Sequence, residues 1–384
     1  MGGAEMYTNN KVKYLISTGW KVKVCFYVTA ENVRLDGLLP FVGNCNSEMS
    51  LPLNFYSRNK REDIINKIIG DYTLSEETIV ESHLPHLSIW AELVAKKLKG
   101  RHIVNCIQEQ PIDQTPRLAQ YYEFKLKRRE ILNATEKSLQ IRYFVNYYKP
   151  EYAQYTHNAK IICSNVVTDD IAPQVVLEKS NYNIVTIGRL DKAYVPTMLE
   201  EVRSFVAANG DKKFNFIVVG GSPGGRVESE VASFFQNTEN IKVYTLGYVF
   251  PIPGALLDCC DVSIASANSI YVSYERGIPT IAVCAYDYQG MGIFGETTQS
   301  IVIRKNEPQI PIRELLDDVL IKGKYKKKSL VEKKENESNL VLQEQIEYIE
   351  NSKEKKEYYE VDRIYSKSSF IINRIKLLFH NIKN

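Results

Sequence analysis

Three side chains in the second half of the chain could hold a charged ligand rich in hydroxyl groups. Arg189 and Lys192 follow an apolar, strand-like segment, and Glu275 lies near the end of a short helical pattern. Arginine presents a planar fork to diphosphate oxygens, and lysine adds a compact positive charge. A carboxylate such as Glu275 would accept hydrogen bonds from two ribose hydroxyls. These residues predict a nucleoside diphosphate sugar site. The alternatives are a surface ion pair of Arg189 with Glu200 or Glu201, and an ordinary helix carboxylate at Glu275.

Backbone amides near these side chains would add phosphate ligands. Asn268 and Ser269 are both good N-cap residues. The amides of Ser269, Ile270 and Tyr271 would then point toward an anion at the start of that helix. We therefore expect this turn to contact the diphosphate.

Glycines that follow apolar segments could also lie beside the ligand. Gly188 directly precedes Arg189, and Gly221 belongs to a glycine-rich turn at 220–225. That turn lacks the Gly-Lys-Ser/Thr ending of a P-loop and the dinucleotide fingerprint. It predicts a tight strand-to-helix turn beside the ligand rather than a phosphate cradle. Gly2 and Gly3 would similarly bring the first helix's amides near a phosphate.

Polar residues follow two apolar segments in the first half. His83 would donate to a sugar hydroxyl or perform acid–base chemistry, unless it is simply solvated. Gln108 and Glu109 follow the next predicted strand, and Glu109 would orient an acceptor hydroxyl. The sequence contains no Asp-x-Asp motif, so we predict no metal-bound donor and no metal site.

Alternating strands and helices must position these residues. Strands are predicted at 21–29, 78–81, 102–107, 160–164, 184–187, 214–219, 241–245, 262–265 and 280–283. Helices are predicted at about 4–16, 87–98, 118–138, 197–208, 227–236, 253–259 and 269–276. The alternation predicts an α/β protein with two doubly wound, Rossmann-like domains.

The alternation restarts at Asn183, which sets the predicted domain boundaries. Residues 1–167 would form an acceptor-side domain, 168–182 a linker and 183–320 a nucleotide-sugar-binding domain. The remaining residues, 321–384, would form a charged segment and a C-terminal amphipathic helix. The part rich in lysine and glutamate, 322–356, predicts an exposed helix or partial disorder. The apolar face in 366–384 would pack on the first domain or, less favoured, lie on a membrane surface.

Composition limits the class of protein. A length of 384 residues allows two domains, and 44% hydrophobic with 25% charged residues is typical of soluble proteins. A net charge of only +3 argues against nucleic-acid binding. The seven cysteines show neither metal-ligand nor disulfide spacing. We expect a cytoplasmic protein, with peripheral contact at the inner face of the cell membrane if the tail binds lipid.

The order of these motifs resembles glycosyltransferase family 4, the retaining sugar-nucleotide enzymes of the GT-B fold, in which two Rossmann-like domains face each other across a cleft. The resemblance covers most of residues 1–310. Its motifs lie at 2–5, 18–22, 187–191, 218–221, 246–249, 260–262 and 274–282. Each motif is moderately specific, and their order and spacing together are strong.

The resemblance implies roles for individual residues. Arg189 and Lys192 would bind donor phosphates, Glu275 the ribose, and 269–271 the diphosphate and donor sugar. Gly2 and Gly3 would approach the diphosphate from the other domain. Retention is explained by front-face attack, in which the leaving diphosphate takes the acceptor proton and Arg189 and Lys192 stabilise its charge. The substrates would be a UDP- or GDP-sugar and a saccharide or lipid-linked saccharide acceptor, with no cofactor.

Three departures from the family pattern change these expectations. Ala267 replaces a second glutamate near the donor sugar, and 268–270 replaces a glycine-rich turn. Gln108 replaces a histidine, which shifts weight to His83 or to backbone contacts. The strand expected before the first helix is missing. We therefore expect Met1 to be an internal methionine, with the natural start roughly 15–25 residues upstream.

The sequence thus predicts a metal-independent, retaining glycosyltransferase of the hexosyltransferase type, in bacterial surface polysaccharide assembly. A non-catalytic GT-B partner or scaffold of another glycosyltransferase is the alternative, favoured by Ala267. A sugar-nucleotide epimerase of the same fold is a further rival, but its carboxylate and histidine constellation is not evident.

Overall fold

The computed structural model describes residues 3–33, 35–72, 78–107, 116–133, 157–158, 166–173, 175–222, 225–329, 337–351, 356–365 and 370–372. The chain forms two compact units. The first is Gly3–Ile162 with Glu335–Asn384, and the second is Cys163–Lys334. The predicted linker 168–182 therefore lies within the second unit, and the end of the predicted tail belongs to the first.

Helices and strands alternate through both units. The helices are α1 Gly3–Ser17, α2 Arg58–Ile69, α3 Pro85–Leu98, α4 Pro116–Lys127, α5 Val195–Ala208, α6 Arg226–Phe234, α7 Gly254–Asp258, α8 Ser269–Tyr274, α9 Ile312–Leu316 and α10 Glu337–Asn351. The strands are β1 Ile79–Ser82, β2 Arg101–Cys106, β3 Ile131–Asn133, β4 His157–Asn158, β5 Val167–Thr168, β6 Tyr182–Ile187, β7 Phe214–Val219, β8 Ile241–Gly247, β9 Ile252–Pro253, β10 Val262–Ala265, β11 Thr280–Val283 and β12 Gly290–Ile293.

The first unit contains a parallel sheet in the order β1-β2-β3-β4. Because side chains alternate along a strand, Val104 and Ile131 pack on one face with α2, α3 and α4. Ile103 and Leu132 pack on the opposite face with Ile349 of α10. The sheet is therefore covered on both faces, as parallel sheets require.

The second unit contains a sheet in the order β12-β11-β10-β6-β7-β8, parallel except for β12. All six residues of β7 are buried, because α5, α6 and α9 cover one face and α7 and α8 the other. These strands match the prediction closely, since continuous apolar runs are typical of strands buried on both faces.

The predicted strand at 21–29 is not formed. Residues 21–25 belong to no strand in the described part of the chain, and Phe26 makes an isolated bridge with Cys45. Cys25 and Tyr27 instead pack against the core of the first unit. The apolar pattern here reflects packing rather than sheet pairing.

The predicted helix 118–138 ends early, and β3 follows it. Arg129 adopts a left-handed φ of 52°, which stops the helix before the buried Ile131. The many charged residues in 118–138 had indicated one continuous helix. Two of them, Lys125 and Glu130, are instead buried and form an ion pair at 3.0 Å. The predicted strand 160–164 lies outside the described residues.

In the described parts of the segment 322–356, lysines form ion pairs and Glu337–Asn351 forms the helix α10, several of whose apolar side chains are buried rather than exposed. Lys322 and Lys324 both form ion pairs with Asp318 at 2.9 Å, and Lys327 donates to the carbonyl of Asp258. The helix α10 buries Ile349 in the first unit. Among the described residues, no helix has the length and apolar character needed to cross a bilayer.

Candidate functional site

The strand order of the second sheet reverses at β6. The chain continues from β6 to β7 and β8 on one side, and then adds β10 and β11 on the other. Loops that leave the carboxyl ends of β6 and β10 run in opposite directions, which opens a crevice where ligands bind in such sheets. Arg189 and Lys192 follow β6, and Ser269 follows β10, so the topology brings the predicted residues to this edge.

Two glycines allow the loops at this edge to approach each other. A Cβ on Gly188 would lie 3.4 Å from Oγ of Ser269, and one on Gly220 would lie 1.8 Å from the carbonyl oxygen of Gly188. Gly188 and Gly220 have φ values of 144° and 139°, which favour glycine. The amide of Gly188 also donates to the carbonyl of Val219 at 2.9 Å. These contacts fix the backbone beside Arg189.

Arg189 reaches solvent at the edge of this crevice. Its side chain is 55% exposed, and Nε lies 3.0 Å from Oδ1 of Asp191 in an ion pair. The alternative partners considered from the sequence are engaged elsewhere, Glu200 with Arg203 and Glu201 with Arg313. The guanidinium thus keeps a carboxylate neighbour while much of its surface remains accessible.

Lys192 and Tyr194 lie further along the loop that follows β6. The Nζ of Lys192 lies 5.8 Å from the ring centroid of Tyr194. Tyr194 is 3% exposed, and burial raises the pKa of its hydroxyl to about 12. That hydroxyl would be 3.9 Å from a Cβ on Gly188, so it lies beneath the same backbone. Nothing in the sequence distinguishes Tyr194 from the other tyrosines, 25 in all, as a contact of this backbone.

The start of α8 differs from the predicted anion-binding turn. Asn268 makes no side-chain capping hydrogen bond. The amides of Ile270 and Tyr271 donate to the carbonyls of Ala267 and Asn268 at 3.1 and 3.2 Å. The Ser269 side chain therefore offers the contact toward Gly188, while two of the three predicted amides are already hydrogen-bonded.

Ala267 occupies a left-handed backbone conformation directly before this turn. Its φ is 59°, and its amide donates to the carbonyl of Ile301 at 2.6 Å. The left-handed backbone conformation is less favourable for residues that carry a Cβ than for glycine. Ala267, where the resemblance led us to expect a glutamate, is therefore also conformationally strained.

Glu275 lies at the C-terminal end of α8. Its amide donates to the carbonyl of Tyr271 at 2.9 Å. Burial, and then the Glu275 carboxylate, raise the pKa of the Tyr271 hydroxyl. The carboxylate thus lies near a tyrosine that is 40% exposed, on the same short helix as Ser269.

Tyr248 and Glu228 complete the edge at β7 and β8. A Cβ on Gly221 would lie 2.8 Å from the Tyr248 ring and 2.5 Å from Oε1 of Glu228. Glu228 accepts hydrogen bonds from the amide and hydroxyl of Ser222 at 3.0 and 2.6 Å. The turn containing Gly221 is therefore held by a carboxylate, and it presents the half-exposed Tyr248 ring beside it.

In the first unit, His83 is held by α1. Thr8 Oγ1 lies 3.0 Å from Nδ1 of His83 and donates to the carbonyl of Ala4 at 2.9 Å. Because the Thr8 hydroxyl has a single proton, Nδ1 of His83 must be the donor to Thr8. Nε2 lies 3.7 Å from Oε2 of Glu81, and the His83 side chain is 22% exposed.

A buried ion pair supports Glu81 behind His83. Nζ of Lys11 lies 2.8 Å from Oε1 of Glu81. Burial alone would raise the pKa of Glu81, but Lys11 and His83 hold it at about 2. The carboxylate beside His83 is therefore ionised at neutral pH.

The remaining predicted residues are Gly2, Gly3, Gln108 and Glu109. Gly3 is the first residue of α1. Gly2, Gln108 and Glu109 lie outside the described residues. Their predicted contacts stay predictions.

A separate buried cluster in the first unit has the connectivity of a hydrolase triad. Nδ1 of His102 donates to Oε2 of Glu92 at 2.6 Å, and Nε2 lies 2.9 Å from Oγ of Ser82. Nζ of Lys125 also binds Glu92, at 2.7 Å. Burial and Lys125 lower the pKa of His102 to about 4, so this imidazole is a weak base. All four residues are at most 5% exposed, so the cluster lies in the interior of the first unit.

Comparison with known proteins identifies the architecture. No protein-family description and no curated protein matches the chain. Anabaena HepE, solved with UDP-glucose, has a TM-score of 0.58 at 11% identity, covering 92% of this chain and 97% of HepE. A glycosyltransferase from Rickettsia africae has a TM-score of 0.57 at 14% identity, covering 100% of this chain and 96% of its own. These similarities confirm the predicted GT-B fold with two Rossmann-like domains.

Proposed function

We propose that this chain is a retaining, metal-independent glycosyltransferase that uses a nucleoside diphosphate sugar. The observation that carries the proposal is the junction of Gly188 with Ser269 at the strand-order reversal, beside the exposed Arg189. This junction offers a cation, a hydroxyl and a closely approachable backbone in one crevice, which suits a diphosphate. HepE structures contain UDP and UDP-glucose, so UDP-sugars are the first donors to test. GDP-sugars are the second.

In the proposed reaction, the residues of the second unit bind and stabilise the donor. Arg189 and Lys192 hold the diphosphate and stabilise the charge that develops on it as the sugar leaves. Glu275 accepts hydrogen bonds from the ribose hydroxyls. The leaving diphosphate takes the acceptor proton, so the acceptor oxygen attacks from the face that the diphosphate leaves. The configuration of the sugar is then retained.

The acceptor would be a saccharide or lipid-linked saccharide in bacterial surface polysaccharide assembly. His83, with its orientation set by Thr8, would hydrogen-bond a hydroxyl of the bound sugars, together with Gln108 and Glu109. The reaction would take place in the cytoplasm, or at the inner membrane face if residues 366–384 contact lipid instead of packing on the first domain.

A non-catalytic GT-B partner of another transferase is the second candidate. Ala267 favours it, because the position carries a methyl group and a strained backbone where a sugar-binding carboxylate is expected. The Arg189–Asp191 ion pair also neutralises part of the charge available to phosphates.

Donor turnover separates the two candidates. The full chain would be incubated with UDP-, GDP- and ADP-sugars, with and without EDTA, and nucleotide release and the anomeric configuration of the product would be measured. The proposal predicts release from one donor class that EDTA leaves unchanged, with a retained anomer. Donor binding without release under any condition would favour the non-catalytic partner, and no binding at all would overturn both donor-based functions.

A further inference from the structure

The short helix α8 ends in a turn that carries Glu275. Six residues are too few for a helix to be stable alone, so contacts with the rest of the unit must hold its end. The amide of Ile278 donates to the carbonyl of Ser273 at 3.1 Å. Gly277 has a left-handed φ of 71°, as in helix ends of the Schellman type. Glu275 lies inside this turn, so the contacts that fix the turn also fix the backbone of its carboxylate.

Arg276 anchors the turn through all three nitrogens of its guanidinium. Nε and Nη2 both donate to the carboxylate of Asp258 at the end of α7, the first of them at 3.0 Å. Nη1 lies 3.1 Å from Oδ1 of Asp169, which follows β5. The arginine side chain is only 11% exposed, although both carboxylates reach solvent. Its planar fork therefore joins α8 to two other segments in one geometry.

Gly254 makes room for this cluster of ion pairs. A Cβ on Gly254 would lie 1.9 Å from Oδ1 of Asp169 and 2.9 Å from Nη2 of Arg276. Gly254 is the first residue of α7, so the two charged groups pack directly on the backbone of that helix. A residue with a Cβ at this position would displace the carboxylate or the guanidinium.

The segment after α9 holds the same turn. The amide of Lys328 donates to the carbonyl of Gly277 at 2.8 Å. A Cβ on Gly277 would lie 2.1 Å from the carbonyl oxygen of Lys328. Asp169 and Lys328 lie near the two ends of the second unit. The two residues that follow Glu275 are therefore tied to the segments by which the chain enters and leaves this unit.

We propose that Arg276 is a positioning residue for Glu275 and thereby sets the preference of the site for a ribonucleotide. This role rests on the proposed function, since Glu275 must bind the ribose hydroxyls. Two hydrogen bonds to vicinal hydroxyls require one orientation of the carboxylate, and Arg276 fixes the backbone that carries it. Arg276 itself makes no contact with the nucleotide in this account.

Calorimetric binding of a nucleoside diphosphate and its 2′-deoxy form to the full chain tests this role. The ligand would be UDP or GDP, whichever the wild type binds more tightly. The wild type should bind the ribonucleotide about tenfold more tightly than the deoxy form, because the latter loses a hydrogen bond to a carboxylate. Glu275→Gln should remove most of this preference.

Arg276→Gln should lower the preference to about threefold or less, because the carboxylate is no longer held in one orientation. The ribonucleotide should still bind, since Arg189 and Lys192 are unchanged. Gly254→Ala disturbs the same ion pairs without removing a charge and should lower the preference in the same way. A general loss of stability would weaken both ligands equally and leave their ratio unchanged.

Arg304→Gln is the matched control. The Arg304 side chain is 16% exposed, and its Nε and Nη2 donate to Asp287 at 2.9 and 3.0 Å. The variant should lose thermal stability and keep the wild-type preference for the ribonucleotide. Circular dichroism would verify that each variant is folded.

The outcomes separate this role from the proposed function. A wild-type preference in both Arg276→Gln and Gly254→Ala, together with its loss in Glu275→Gln, would overturn the role of Arg276 and leave the donor site intact. Loss of the preference in Arg304→Gln would overturn it as well, because any lost ion pair would then have the same effect. If the wild type binds neither nucleotide, the proposed function fails, and the role of Arg276 fails with it. Equal binding of the two forms by the wild type would exclude the ribose contact of Glu275 and therefore this role.

Discussion

Gly188 and Ser269 are in close contact although they are far apart in the sequence. A Cβ built on Gly188 would lie 3.4 Å from the hydroxyl oxygen of Ser269. The contact joins the loops that follow β6 and β10, where the strand order reverses. It places a hydroxyl beside the backbone that precedes Arg189. The proposed donor site depends on this junction, and the following predictions test its parts.

Replacing Gly220 should disrupt the junction. In Gly220→Ala, the new Cβ would lie 1.8 Å from the carbonyl oxygen of Gly188, so one of the two loops must move. We expect at least about tenfold weaker binding of the donor nucleotide and a loss of about 1–3 kcal/mol in the free energy of unfolding.

Gly210→Ala is the matched control, because the nearest atom to its Cβ would be 4.0 Å away. Calorimetric binding and thermal unfolding would be measured for both variants. Equal donor affinity in the two would show that the junction does not support the ligand.

Relieving strain at Ala267 should not destabilise the protein. A left-handed φ destabilises the folded state of an alanine by about 1–2 kcal/mol. Replacing alanine by glycine removes this strain, but it increases the conformational entropy of the unfolded chain, which lowers the free energy of unfolding by only about 0.4–1 kcal/mol. Ala267→Gly should therefore leave the free energy of unfolding unchanged or raise it by about 1 kcal/mol.

The same substitution in a helix should have the opposite sign. Ala207→Gly, at an exposed position in the last turn of α5, is expected to lower the free energy of unfolding by about 0.5–1 kcal/mol. Denaturant titrations of both variants provide the comparison. If Ala267→Gly loses as much as Ala207→Gly, the left-handed backbone at 267 is contradicted.

The first unit should lose stability in mild acid through His102. Its pKa is lowered from 6.5 to about 4 in the folded protein, so the unfolded chain binds the proton first. Stability is thus present above pH 6.5 and falls by about 3 kcal/mol as the pH decreases toward 4. Glu92, with its pKa lowered from 4.5 to about 2, adds a further loss below pH 4.5.

Tryptophan fluorescence can follow this unit, since Trp20 and Trp90 both belong to it. Urea unfolding would be recorded from pH 7 to 4 for the wild type and His102→Gln. The variant should be less stable at pH 7 but show a flatter pH dependence. An identical slope in both proteins would mean that His102 does not carry the effect.

The hydroxyl of Thr8 should affect catalysis through His83. Thr8→Val removes the acceptor for the Nδ1 proton of His83 while keeping a similar shape. We expect kcat to fall about tenfold with the donor KM unchanged, because the donor is proposed to bind in the second unit. Thr8→Ser retains the hydroxyl and should keep most of the activity. A similar kcat for the Val and Ser variants would contradict a positioning role for Thr8.

The sequence predicted the second unit well because its strands are long, apolar runs buried on both faces. It missed β12, whose sequence is glycine-rich and whose Gly292 has a φ of 129°. It also extended the helix that begins near 118 as far as 138, because sequence alone does not show that Lys125 and Glu130 are buried together.

Some residues of the candidate site could likewise be predicted from the sequence, and others could not. Strand ends in a doubly wound sheet must share an edge, so the sequence could place Arg189 near Ser269. It could not reveal Tyr194 or Tyr248, since their positions depend on how the loops turn after each strand. The Arg189–Asp191 pair was within reach of sequence reasoning, as the residues are two apart.

Calorimetric titration of UDP-glucose into three forms of the full chain tests the central claim most directly. The wild type should bind, and Arg189→Ala should bind about 10- to 100-fold more weakly through loss of charge-assisted hydrogen bonds. Arg203→Ala is the matched control, as Arg203 is similarly exposed and pairs with Glu200. It should bind like the wild type. If the wild type binds and Arg189→Ala matches it, the assignment of the phosphate site to the loop after β6 is contradicted.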